Sequence, residues 1–240
     1  MLLNFICHKI KYFCFNRNTK GLKNEIIITK DGSHSIYVPV LDEHYHSVYG
    51  AIQESQHIFI NYGLRFIKKQ NISILDIGFG TGLNVLLTIV ENEKLNKQIN
   101  YTTVEKYPLE KRIYEKLNYC NKLKSDYYSV YMQLHNAEWE RGINILPNFS
   151  LTKIQTDLIE YKPVETFDIV YFDAFAPDVQ PKLWAEEVFA KIYNAMNFEG
   201  VLTTYSAKGS VKRAMKAVGF KIEEFPGPEG KRVVTRAIKD

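Results

Sequence analysis

Residues 72–84 read Ile72-Ser73-Ile74-Leu75-Asp76-Ile77-Gly78-Phe79-Gly80-Thr81-Gly82-Leu83-Asn84. A buried β-rich run passes into a turn carrying three glycines and then into a helical pattern, the opening of an open α/β sheet. Glycine lets a backbone turn tightly and approach a ligand with no Cβ in the way. Ligands of such sheets sit outside the carboxyl ends of the strands. A dinucleotide site asks for G-x-G-x-x-G, so that the helix N-terminus receives a pyrophosphate, whereas here the third glycine follows after one residue. A tight turn without a ligand is the plain alternative, and Asp76 before the glycines weighs against it.

Working outward, β-rich runs at 72–77, 100–105, 151–156, 167–173, 201–205, 220–225 and 233–238 alternate with helical patterns at 83–92, 109–117, 182–196 and 210–218. That alternation predicts a parallel sheet covered on both faces. Only residues 226–232 join the last two runs, too few for a right-handed helical crossover, so the last strand is expected to be antiparallel. Seven strands so arranged resemble the Rossmann-like sheet of class I methyltransferases more than the all-parallel sheet of dehydrogenases. Upstream, runs at 25–30 and 36–40 flank Asp31-Gly32-Ser33 as a hairpin, and Val48, Ile52, Phe59, Tyr62 and Phe66 recur at helical spacing over 47–66. The expected organisation is a basic extension at 1–24, a hairpin-and-helix appendage at 25–70 and the main domain at 71–240.

Composition narrows the class. With 45% hydrophobic and 24% charged residues, the 240-residue chain is neither disordered nor fibrous, and its length suits one domain plus a small appendage. No apolar run approaches the roughly 18 residues of a membrane-spanning helix. The apolar run at 2–7 has its bases after it and no cleavage site, so no signal peptide is expected and a cytoplasmic location is. Cys7, Cys14 and Cys120 are odd in number and lack metal-ligand spacing, which predicts free thiols. The net charge of +4 is concentrated at the termini: residues 1–30 hold six bases and one acid, and residues 206–240 nine bases and four acids. If the termini share a face it attracts phosphates; otherwise the lysines are plain solvated surface.

Three acids mark the ends of the strands. Glu105 closes the second run, where a carboxylate accepts both hydroxyls of a ribose; its alternative is a surface pair with Lys106. Asp157 follows the third run and is expected near an adenine amino group, or as an N-cap before Leu158. The G-x-G-x-G spacing resembles the loop that binds S-adenosylmethionine, the expected cofactor, with Gly78, Gly80 and Gly82 around it. Residues 167–178 (FDIVYFDAFAPD) end the fourth strand in Asp173, an aromatic and a proline. An alkyl amine, with a pKa near ~10, is an ammonium at neutral pH and its lone pair is blocked. A carboxylate beside it positions the amine and takes its proton, which makes Asp173 the candidate catalytic group. Phe175 and Pro177 suit a rigid wall for a flat base; the alternative for Asp173 is a strand-end cap, and for Phe175 ordinary packing.

Four segments carry a resemblance to one family: DGSHS at 31–35 with EHYHS at 43–47, GAIQES at 50–55, the glycine loop, and YFDAFAPDVQPKLW at 171–184. Together with GPEGKRVVTRA at 227–237, they resemble the methyltransferase of 5-methylaminomethyl-2-thiouridine biosynthesis in tRNA, called MnmD when separate and forming the N-terminal half of bifunctional MnmC. The resemblance implies methyl transfer from S-adenosylmethionine to the amine of 5-aminomethyluridine, with or without a 2-thio group, at the wobble position of tRNA. It places Asp173 opposite the amine, and Glu54, Glu105, Asp157 and the glycines around the cofactor. Tyr45, His46, Phe175, Pro177, Lys231 and Arg232 fall on the substrate side; for Lys231 and Arg232 a solvated hairpin tip is the alternative. No second glycine fingerprint occurs, so the flavin-dependent oxidase step of MnmC, which exposes the amine, is expected from a separate enzyme or is unnecessary. Val233-Val234 departs from the Glu-Met common in that loop. His44 and His46 lack a third ligand of suitable spacing, so no metal is expected. Competing readings are a spermidine-synthase-like aminopropyltransferase, a non-catalytic RNA-binding module and a nicotinamide dehydrogenase.

Overall fold

The computed structural model describes residues 23–123 and 126–240. All but the last two positions of the basic extension expected at 1–24, with Cys7 and Cys14, lie outside them. Strands β1 (Glu25–Ile28), β2 (His34–Val38) and β3 (Glu43–His44) form a small antiparallel sheet. Helix α1 (Ala51–Ser55) continues as a π-helix over Gln56–Leu64. There follow β4 (Asn71–Ile77), α2 (Leu83–Leu95), β5 (Gln98–Val104), α3 (Lys111–Tyr114), α4 (Tyr119–Leu123), α5 (Tyr128–Asn136), β6 (Gly142–Leu146), β7 (Phe149–Ile154) and β8 (Phe167–Phe172). A tight helical turn at Pro181–Trp184 leads into α6 (Glu186–Asn194), β9 (Met196–Thr204), α7 (Gly209–Ala217), β10 (Phe220–Pro226) and β11 (Val233–Lys239).

The main sheet runs β10-β11-β9-β8-β4-β5-β7-β6. All seven expected strands are present, and β11 runs antiparallel to both β9 and β10. An eighth, unexpected strand, β6, pairs antiparallel with β7 at the far edge. Ile143 and Ile145 alternate there ahead of Pro147-Asn148, a short hairpin signal that the sequence reading passed over. The chain leaves β4 toward β5 on one side and returns through β8 on the other, so the crevice between their carboxyl ends is the topological switch point.

Both faces of β4 and β8 are apolar because helices cover both. Ile72, Ile74, Ile169 and Tyr171 face α1, its π-helical extension and α2, while Leu75, Ile77, Val170 and Phe172 face α6 and α7. Ile36 and Ala51 belong to the first of these cores, so the N-terminal sheet and helix share apolar packing with the main domain.

Helical spacing predicted one helix over 47–66. The observed helix starts at Ala51 and widens to π geometry, and Gly63 lies so close to β8 that a Cβ there would stand 3.0 Å from Tyr171 Cε1. Asp31 explains the DGS turn: one carboxylate oxygen accepts from Thr29 Oγ1 and the Ser33 amide at 2.7 and 2.9 Å, and the other from the Gln53 amide at 3.1 Å, capping α1 from the hairpin. The helix expected at 109–117 shortens to Lys111–Tyr114, and the one expected at 182–196 is broken in two by extended Ala185. Helix α5 was not anticipated.

Candidate active site

At the switch point lies a cavity of about 570 Å³, lined from both halves of the sheet and from the N-terminal segment. Gly78 and Gly80 form its floor, with φ of +96° and +46°. A Cβ on Gly78 would stand 3.0 Å from the Asp173 carbonyl, and one on Gly80 would stand 3.1 Å from the Tyr45 ring, so both positions require glycine on two grounds. Gly82, with φ of +72°, caps α2 against His135 and does not line the cavity; its part in the loop is conformational.

Glu105 stands at the end of β5. One oxygen accepts from the Gly80 amide at 3.0 Å and the other from the Tyr107 amide at 2.7 Å, which joins the acid to the glycine loop. Burial nonetheless holds its carboxyl above the ordinary value. Each oxygen keeps a lone-pair direction for a hydroxyl donor. Lys106 pairs with Asp157 at 2.7 Å instead of with Glu105. Asp157 also accepts from the Ile159 amide at 2.9 Å, so it caps a turn and lines the cavity at once. Glycines whose Cβ atoms would fill the cradle, with a carboxylate presented beside them, fit the ribose and adenine of S-adenosylmethionine.

Asp173 emerges from β8 with its amide donating to the Ile77 carbonyl at 3.2 Å, and its Oδ2 accepts from Asn84 Nδ2 at 2.9 Å. Its carboxyl is pushed up to about 7, first by burial and then by the charge of Glu54, against the opposing pull of Asn84 and Lys231. Glu54, on α1, accepts from the Ser47 amide at 2.9 Å and pairs with Lys231 at 3.2 Å. Lys231 also lies over the Tyr205 ring, 4.6 Å from its centroid.

Tyr45 and Phe175 meet edge to face at 5.2 Å and wall the cavity beside Asp173. Trp184 Nε1 donates to the Phe175 carbonyl at 2.9 Å, which gives the Leu-Trp pair of the long motif its work: it pins the segment after Asp173. His46 is buried, pushed down to about 4 by that burial and therefore neutral, and its Nε2 lies 2.7 Å from Thr81 Oγ1. It lines the cavity while tying the N-terminal segment to the glycine loop. Pro177 and Arg232 do not line the cavity: Arg232 is exposed at the hairpin tip, and Pro177 is passed over between Ala176 and Asp178, which do line it. Asn84 and Tyr205, which do line it, escaped the sequence reading. Asn84 sits two residues past Gly82 and Tyr205 at the carboxyl end of β9, where the switch-point rule would have directed attention.

Among the described residues no helix is long and apolar enough to cross a membrane, and no group of three or more His, Cys, Asp or Glu is suited to hold a metal ion.

Fold and site together define a nucleoside-binding α/β transferase with a carboxylate at the end of β8. A sequence model of the S-adenosyl-L-methionine-dependent methyltransferases matches residues 113–240, and the chain belongs to that family. It is 28% identical over 229 residues to the tRNA 5-methylaminomethyl-2-thiouridine biosynthesis bifunctional protein MnmC of Cupriavidus metallidurans, covering 89% of this chain and 33% of that protein. The corresponding protein of Campylobacter hominis is 27% identical over 191 residues, covering 77% and 28%. The chain thus spans about a third of the length of these curated relatives. The crystal structure of MnmC2 from Aquifex aeolicus superposes with a TM-score of 0.76 at 25% identity, covering all of this chain and 78% of that one. Spermidine synthase from Thermotoga maritima, at 14% identity and a TM-score of 0.58, shares the fold.

Proposed function

We propose that the protein methylates the amine of 5-aminomethyluridine, or its 2-thio form, at the wobble position of tRNA, giving the 5-methylaminomethyl nucleoside. The names of the MnmC relatives support the substrate. The observation that carries the chemistry is Asp173: a carboxyl pushed up to about 7, in a cavity it shares with the glycine loop and an aromatic wall.

Glu105 and Asp157 would hold the ribose and adenine of S-adenosylmethionine, Gly78 and Gly80 would allow its close approach, and Glu54 would meet its amino-acid end. When bound, S-adenosylmethionine supplies an electrophilic methyl carbon on a sulfonium centre. Asp173 would accept a hydrogen bond from the substrate ammonium and take up its proton, freeing the nitrogen lone pair for the methyl carbon, whose bond to sulfur would break as its bond to nitrogen forms. A carboxyl near neutrality suits both the uptake and the later release of that proton. Phe175 and Tyr45 present flat apolar surface to the pyrimidine. Lys231, with Arg232 farther out, supplies positive charge for the phosphodiester backbone. The aminomethyl group is made in a preceding step, and a tRNA substrate puts the reaction in the cytoplasm.

The deciding experiment incubates the protein with labelled S-adenosylmethionine and tRNA lacking only the final methyl, then identifies the nucleoside. Label in 5-methylaminomethyl-uridine or its 2-thio form is expected. Label elsewhere in the tRNA, or none, refutes the proposal.

A further inference from the structure

Behind Asp173, outside the cavity wall, a small polar cluster is left with unmatched groups. Asp76 on β4 is 1% exposed and does not line the cavity. Its Oδ1 has no hydrogen-bond partner, and its Oδ2 shares the single Thr103 hydroxyl proton, at 3.4 Å, with the Asp76 carbonyl at 3.1 Å. The side-chain oxygens of Asn84 and Tyr101 are also buried without partners. A carboxylate and an amide oxygen left so bear a full desolvation penalty. One proton changes the inventory, because a protonated carboxyl has a donor to offer where an ionised one has only acceptors.

The groups that face Asp76 are Thr103 and Tyr101 from β5, Tyr171 from β8, Asn84 from α2 and the Asp173 carboxyl. None of these is a cation. Burial, then the charge of Asp173, drive its carboxyl well above the ordinary range, against the opposing pull of the Tyr101, Asn84 and Thr103 side chains.

We propose that Asp76 carries a proton at neutral pH and is a positioning residue for Asp173, acting through the Asn84 side chain. The neutral carboxyl engages the Asn84 carboxamide, whose N–H is thereby held on Asp173 Oδ2, leaving Oδ1 for the substrate amine. Two buried carboxyls then divide the work: one stays neutral and structural, and the other titrates. The inference rests on the reading of Asp173 as the group that meets the amine.

The proton is located without turnover. The full chain, labelled with carboxyl-¹³C aspartate, is titrated by NMR, and the Asp76 signal is assigned by its loss in Asp76→Asn. It is expected at the protonated position from about pH 6 to about pH 8, far above an ordinary aspartate. The Asp173 midpoint is expected to be unmoved in Asp76→Asn and raised in Asn84→Ala. In turnover, Asp76→Asn, which copies the neutral carboxyl, is expected to keep at least about a third of kcat, and Asp76→Ala to lose roughly tenfold or more with KM little changed. An ionised Asp76 at neutral pH, or an Asp76→Asn as impaired as Asp76→Ala, overturns the proposal. Should Asp76→Ala not fold, Asn84→Ala decides: an unmoved Asp173 midpoint also overturns it. A protonated Asp76 in a protein that leaves the tRNA amine untouched upholds the proton assignment and refutes the substrate reading instead.

Discussion

Lys231 of the β10–β11 hairpin lies 3.2 Å from Glu54 of α1, so two segments 177 residues apart complete one charge set at the mouth of the cavity. The ammonium offsets Glu54, whose charge otherwise raises Asp173. Lys231→Met removes the cation and leaves the acid. The acid limb of the pH–rate profile is expected to move to higher pH, with turnover near pH 7 falling several-fold. An unmoved limb would disconnect Lys231 from Asp173.

Asp173→Ala is expected to retain S-adenosylmethionine binding by calorimetry and to lose most turnover, on the order of a hundredfold or more for a positioned base. In the unmodified protein, turnover falls as pH drops through about 7, because the protonated carboxyl cannot accept the ammonium proton.

Stability carries the same signature. A carboxyl whose folded value is raised favours folding most at pH values below its unfolded pKa of about 4, and loses that contribution as pH rises toward about 7. Asp173→Asn abolishes this dependence. Its melting temperature is expected to exceed that of the parent at pH 8, with the gap closing toward pH 4.

Gly80→Ala sets a Cβ against the Tyr45 ring at a left-handed backbone position. The backbone cost alone is ~1–2 kcal/mol. Weaker cofactor binding, by about tenfold, is expected in calorimetry, with Gly78→Ala at least as impaired because its Cβ meets backbone.

Gly63→Val tests the π-helix. The new branches would enter space already held by Tyr171 and Thr203. Overpacking of this kind costs ~1–3 kcal/mol, which at this chain length lowers the melting temperature by roughly 2–4 °C for each kcal/mol.

Much of the molecule was legible in the sequence because its signals are local. Apolar runs of strand length, the glycine spacing after Ile77 and the shortness of 226–232 set the strands, the loop and the antiparallel last strand, since each follows from backbone sterics or chain reach over a few residues. The carboxyl-end rule then put Glu105, Asp157 and Asp173 near one crevice. Partnership was not legible. That Asn84 would find Asp173, that Lys106 would choose Asp157 over its neighbour, that His46 would tie down Thr81 and that Lys231 would reach Glu54 depend on packing between elements distant in sequence. The same holds for β6, whose short half-exposed pattern becomes a strand only beside β7, and for the π-helix, whose Gly63 packs close against Tyr171. Sequence periodicity determines which face of an element is apolar; only the assembled sheet determines which polar groups are buried together, and it is burial in company that moves Asp173 to a pKa at which it can exchange a proton.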